Sequence, residues 1–98
     1  MSQNGFEWKR IEYKDLDEYG ARYVIKSYSG NHKIGLALMV DGVRVATIVK
    51  ASWRRHGKNL YYAYYPDATS GEYRCFEFNR QSDAKEWLIK VLRSKGLI

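Results

Sequence analysis

Asp41-Gly42, set between Met39-Val40 and Val43-Arg44, constrains this chain more than any other pair. Both central residues of a type I′ turn need positive φ, and Asp-Gly tolerates it. A two-residue loop fixes a hairpin together with its register. Val40 is expected opposite Val43, Leu38 opposite Val45, Leu36 opposite Thr47 and Ile34 opposite Val49, all on one apolar face. The other face then carries Met39 with Arg44, Ala37 with Ala46 and Gly35 with Ile48.

Elsewhere, alternation of apolar and polar residues and short β-branched or aromatic runs read as half-buried strands. They are expected near Phe6 to Tyr13, Arg22 to Tyr28, Lys33 to Val40, Val43 to Lys50, Lys58 to Tyr65 and Glu72 to Phe78. Residues 15 to 20, Asp-Leu-Asp-Glu-Tyr-Gly, have too few apolar positions for a strand and read as a helical turn or a loop. The C-terminal segment changes period: Ala84, Trp87, Leu88, Val91 and Leu92 recur at three and four residues and form one stripe of a helix. Ser82 reads as its N-cap, with Asp83 and Glu86 in the first turn and Arg93 and Lys95 ahead of Gly96. That stripe has only the sheet to pack against. The expected fold is α+β: an antiparallel meander of about five to six strands with one C-terminal amphipathic helix packed on one face.

With 98 residues the chain is one domain's length, and folding buries only roughly 60–65 % of the surface exposed by an unfolded chain of that size. A large internal ligand cavity is not expected. The single Cys75 excludes an internal disulfide, and with His32 and His56 it supplies no ligand set at zinc-like spacing. No metal and no cofactor are expected. The apolar stretch from Ile34 to Val40 is far short of the roughly 18 residues a membrane span requires. The first residues show neither an apolar core segment nor a small-residue cleavage site, so a cytoplasmic, reducing location is the expectation.

The formal charge of +6 is regional. Between positions 20 and 60, eight Lys and Arg face Asp41 alone, a surplus of +7. If Leu36, Leu38, Val43, Val45 and Val49 face the helix, Arg44 and Lys50 point the other way, and Arg22, Lys26 and Tyr28 of the preceding strand join them. The loop around Pro66 to Gly71 fixes register less firmly. The preferred pairing puts Tyr61, Phe76 and Phe78 against the helix and leaves Tyr62, Tyr64, Tyr73 and Cys75 on the open side. Cations mixed with flat rings suit single-stranded nucleic acid: cations follow phosphates, and rings stack on bases for roughly 1–3 kcal/mol each. The link from Lys50 to Lys58 adds Trp53, Arg54, Arg55 and His56, a basic and aromatic tip able to reach a phosphate backbone.

Other residues read more plainly. His56 beside two arginines has the residue type of a general base in a metal-independent nuclease, but a histidine in a Gly-containing basic loop reads first as solvated or as a phosphate contact, so no enzyme is expected. His32 reads as a turn residue, Cys75 as a packed small side chain, and Asp15, Asp17 and Glu18 as a solvated acidic turn. Trp8 and Trp87 read as core, and Trp53, next to Arg54, as a contact residue.

The order of elements, with the basic and aromatic segment from Lys50 to Arg74, resembles the three-stranded-sheet DNA-binding domains of plant ethylene-response factors and of transposon integrases. It is also similar to the strand-rich repeats of purine-rich-element-binding and whirly proteins. The resemblance lies in element order, and no functional residue carries over from it. The expected function is a small nucleic-acid-binding module that uses an open sheet face and the Lys50 to Lys58 loop. The alternative is a protein-binding inhibitor or adaptor, of the phage- or plasmid-encoded kind that acts on host defence, using the same tyrosine-rich face or hiding it in a homodimer; Tyr, Trp and Arg are also enriched at protein hot spots.

Overall fold

The computed structural model describes residues 5–21, 33–55 and 58–98. Five antiparallel strands form one sheet in chain order: β1 (Phe6–Glu12), β2 (Lys33–Val40), β3 (Val43–Arg55), β4 (Lys58–Asp67) and β5 (Glu72–Phe78). The 3₁₀ turn Tyr13–Asp15 and the one-turn helix α1 (Glu18–Ala21) follow β1, and the long helix α2 (Gln81–Ser94) ends the chain. The expected α+β meander with a C-terminal helix is therefore the observed architecture. The strand expected over Arg22 to Tyr28, and the turn at His32, lie outside the described residues. Among the described residues no helix is long and apolar enough to cross a membrane.

Asp41 and Gly42 both take positive φ, 52° and 81°, as the type I′ turn requires. The expected register holds for Val40 with Val43 and Met39 with Arg44, and then fails. Leu38 pairs with Ala46, Ala37 with Thr47, Leu36 with Ile48 and Gly35 with Val49. Val45 is an extra residue on β3, a β-bulge, and every position beyond it is moved by one. The slip has an energetic reason. It places Ile48, fully buried, in the same core cluster as Leu36, Leu38 and α2, whereas the straight register would turn Thr47 into that core and send Ile48 away from it. Because side chains alternate, Lys50 also changes face: it pairs with Tyr61, which packs on the α2 side of the sheet.

Two longer strands than expected form a hairpin arm. β3 runs to Arg55 and β4 starts at Lys58, with Arg54 paired to Asn59 and Arg55 to Lys58. The expected loop after Lys50 is thus mostly strand. β4 also continues through Pro66 to Asp67, where Asp67 Oδ1 accepts from Thr69 N at 3.0 Å and the Asp67 carbonyl accepts from Gly71 N at 2.8 Å. Arg74 Nε donates to Asp67 Oδ2 at 3.0 Å, and Lys95 Nζ lies 3.8 Å from Oδ1. These partners hold the Asp67 carboxyl below its ordinary range, the Arg74 hydrogen bond most of all.

Helix α2 buries Ala84, Leu88 and Leu92 completely against the sheet, and Trp87 packs on Tyr65, Phe76 and Phe78 at ring separations of 5.9, 4.9 and 5.7 Å. The apolar stripe read from the sequence is the one that docks. The helix begins two residues earlier than expected: Arg80, extended at φ −129° and ψ 141°, occupies the N-cap position without a side-chain cap, and Ser82 sits inside the first turn. Arg80 reaches Asp83 at 4.0 Å, and its carbonyl accepts from Ala84 N at 3.3 Å. At the other end Leu97 N donates to Leu92 O and Gly96 N to Arg93 O, a Schellman ending with Gly96 at φ 75°.

Candidate nucleic-acid interface

The sheet face turned away from α2 carries Ile11, Ala37, Thr47, Val49 and Tyr64, all buried. It is not an open platform. Leu16 and Tyr19, from the segment that follows β1, pack there with Val49, Tyr64, Tyr62 and Cys75. Tyr19 stacks on Tyr73 at 4.4 Å and 22° and meets Tyr64 at 5.0 Å, while Tyr64 and Tyr73 make an edge contact at 5.6 Å.

Asp17 is the polar centre of this cluster. Tyr64 donates its hydroxyl to Asp17 Oδ1 at 3.0 Å, Tyr73 donates to Oδ2 at 3.1 Å, and Gly20 N donates to Oδ1 at 2.9 Å. Arg44 Nη1 donates to the Asp15 carbonyl at 3.0 Å beside them. Burial alone would raise the Asp17 carboxyl, but the Gly20 amide, the two phenols and the Arg44 charge outweigh it and hold Asp17 below its usual range. Burial, then the Asp17 charge, push both Tyr64 and Tyr73 upward. The expectation of a solvated acidic turn is corrected here: Asp17 fastens its segment to the sheet through two tyrosines. The pairing expected for the second hairpin is observed, with Tyr62, Tyr64, Tyr73 and Cys75 on one side and Tyr61, Phe76 and Phe78 on the other. The rings are on the expected face, and the protein itself has stacked on them.

The cations lie elsewhere. On the α2 side, a concavity of about 290 Å³ is lined by Arg10 from β1, Lys50 from β3 and Lys85 from α2, with Tyr61 and Gln81 beside them and Gly35 and Leu36 at its floor. Among the described residues no carboxylate lines it. Among the described residues none of the three cations has an ion pair. The acidic neighbours in sequence are engaged: Glu12 with Lys14 at 3.7 Å and Asp83 with Arg80. Lys85 Nζ stands 5.5 Å over the Trp8 ring, a cation–π contact that positions the ammonium without neutralising its charge. Three like charges from three elements, gathered without a counter-charge, repel one another, and an anion seated between them relieves that repulsion.

The residues named from the sequence divide accordingly. Lys50 enters the basic concavity, and Lys58 is exposed at the start of β4. Arg44 is half-buried on the opposite face, with Tyr62, Tyr64 and Tyr73. Trp53, Arg54 and Arg55 belong to the backbone of β3, and their side chains lie outside the described residues, as do Arg22, Lys26, Tyr28 and His56. Arg10 and Lys85 were missed because each sits in a segment without surplus charge. Their meeting depends on β1 pairing to β2 and on the docking angle of α2, neither of which a count along the chain contains. No protein-family model, curated protein or solved structure matches the chain.

Proposed function

We propose that this protein binds nucleic acid through its phosphate backbone, using the Arg10, Lys50 and Lys85 concavity continued by the basic hairpin arm of β3 and β4. One observation carries the reading: three cations without ion-pair partners among the described residues line a single concavity that no carboxylate enters. The arm adds Arg54 and Arg55 in sequence on the strand that carries Lys50, and Lys58 at the start of the strand paired with it. Phosphates are the most abundant ligand for such an array, and contacts to them position a protein without reading sequence. The Tyr62, Tyr64 and Tyr73 face contributes stability instead of base stacking, since Tyr64 is buried and the Tyr73 hydroxyl is committed to Asp17. For the same reason a protein partner on that face has less support than nucleic acid on the other.

The test is a salt series of fluorescence-anisotropy titrations with labelled oligonucleotides. The logarithm of affinity should fall linearly with that of salt, and Arg10→Ala, Lys50→Ala and Lys85→Ala should each weaken binding and lower the slope by about 1. Lys90→Ala, on the exposed side of α2, removes the same charge and should leave the slope unchanged. Absence of binding at low salt, or equal effects of all four substitutions, would sink the reading.

A further inference from the structure

The two edges of the sheet are guarded differently. β1 is broken by an irregularity at Ile11/Glu12, and its exposed positions, Glu7, Lys9 and Arg10, are all charged. Such features discourage another strand from adding to an edge. β5 pairs with β4 without interruption over seven residues, so its outer row of backbone N–H and C=O groups is regular and, among the described residues, has no partner strand. It also displays Phe76, 57 % exposed, and Tyr73, 39 % exposed, two of the largest exposed apolar side chains among the described residues.

We propose that β5 pairs antiparallel with β5 of a second copy of this chain, about a two-fold axis through Cys75 and normal to the sheet, joining two sheets edge to edge. A two-fold in that direction keeps both α2 helices on one side and lets only residues of the same face pair. Few registers remain. Centring on Arg74 or Glu77 sets like charges directly opposite, which is unfavourable. Centring on Tyr73 or Phe76 leaves part of the strand unpaired. Centring on Cys75 pairs all seven residues: Arg74 faces Phe76, Tyr73 faces Glu77 and Glu72 faces Phe78. Glu72 then lies diagonal to Arg80 of the second copy at both ends, an attraction made twice by symmetry. Arg74 is held at Nε by Asp67 while its side chain remains 62 % exposed, so its guanidinium face is presented for Phe76 of the other copy. The exposed ring is covered by a cation that the chain itself supplies.

The decisive measurement is sedimentation together with thiol coupling, because Cys75 is the single cysteine of the chain. Sedimentation velocity should show a concentration-dependent dimer. Phe76→Lys should weaken it at least tenfold, and Glu72→Arg should weaken it until combined with Arg80→Glu. A short bis-maleimide should link two copies through Cys75, since residues opposite one another in antiparallel strands have Cβ atoms about 5 Å apart. Cys75→Ser should still dimerise without coupling, and circular dichroism checks that each variant folds. A monomer at every concentration overturns the proposal, as does a dimer indifferent to Phe76→Lys; a dimer whose Cys75 thiols label singly without coupling overturns the register.

Discussion

Asp17 shows how one side chain can redirect the reading of a whole surface. Its two oxygens receive three hydrogen bonds, two of them from tyrosines that an open sheet face would have offered to bases. Removing it takes the carboxylate acceptor from the Tyr64 hydroxyl, at a residue only 1 % exposed, and leaves Thr47 as its side-chain partner; a hydrogen bond to a charged group contributes about 1.5–3 kcal/mol. Asp17→Ala should therefore lower the unfolding free energy by that much, seen as a lower urea midpoint at an unchanged slope, and Tyr64→Phe, which removes the hydroxyl itself, should cost less. The carboxyl sits below the ordinary aspartate value of 3.8, so its charge contributes stability that is complete above about pH 4 and is lost as pH falls through the depressed folded-state value. The stability difference between the native chain and Asp17→Asn should shrink in urea titrations carried below that pH; a difference that stays constant would show that the charge is not what matters. Nothing in the order Asp15-Leu16-Asp17-Glu18 marks the middle carboxylate, because its partners Tyr64 and Tyr73 lie 47 and 56 residues away.

At the scale of elements, much was legible. Local chemistry sets the Asp41-Gly42 turn, the five described strands and the α2 stripe, and all are present, with β3 and β4 running past the ends that alternation gives them. The Val45 bulge was not legible, because the straight register also gives a consistent apolar face; only competition for the space under α2 decides between Thr47 and Ile48. The N-cap lies two residues before Ser82, at Arg80, where the Arg80–Asp83 pair supports the first turn. Gly35 is where the sheet tolerates least. A β-carbon there would collide with the main-chain carbonyl oxygen of Ile48, which no rotamer change relieves. Gly35→Ala should destabilise by about 1–3 kcal/mol, the usual range for overpacking, and speed amide exchange at the β2–β3 pairing. Gly20→Ala meets the Tyr64 hydroxyl instead, a side-chain obstacle, and amide exchange of residues 13–21 would report it.

For the molecule as a whole, aromatic side chains hold two faces closed, while Arg10, Lys50 and Lys85 converge on the α2 side and Arg44 is tied to the Asp15 carbonyl on the other. Binding that rests on such a surface should be blind to base identity. Homopolymeric single strands of equal length, and a duplex of mixed sequence, should bind within a few-fold of one another at fixed salt, whereas a stacking platform would favour flexible single strands through roughly 1–3 kcal/mol per base. The charge pattern along the chain was readable, and its destination was not, since face depends on a count of residues and not on their kind. The bulge carries this further. Deleting Val45 alone would remove the extra residue and leave Met39 with Arg44, Leu38 with Ala46 and Leu36 with Ile48 in one regular ladder, so Lys50 would stay on the α2 side. Losing one paired residue between Ala46 and Lys50 would instead carry Lys50 to the opposite side of the protein without changing any charge. For a chain built this way, a three-nucleotide deletion in the paired part of β3 is a larger event for ligand choice than most substitutions, while the same loss at position 45 is absorbed by the bulge.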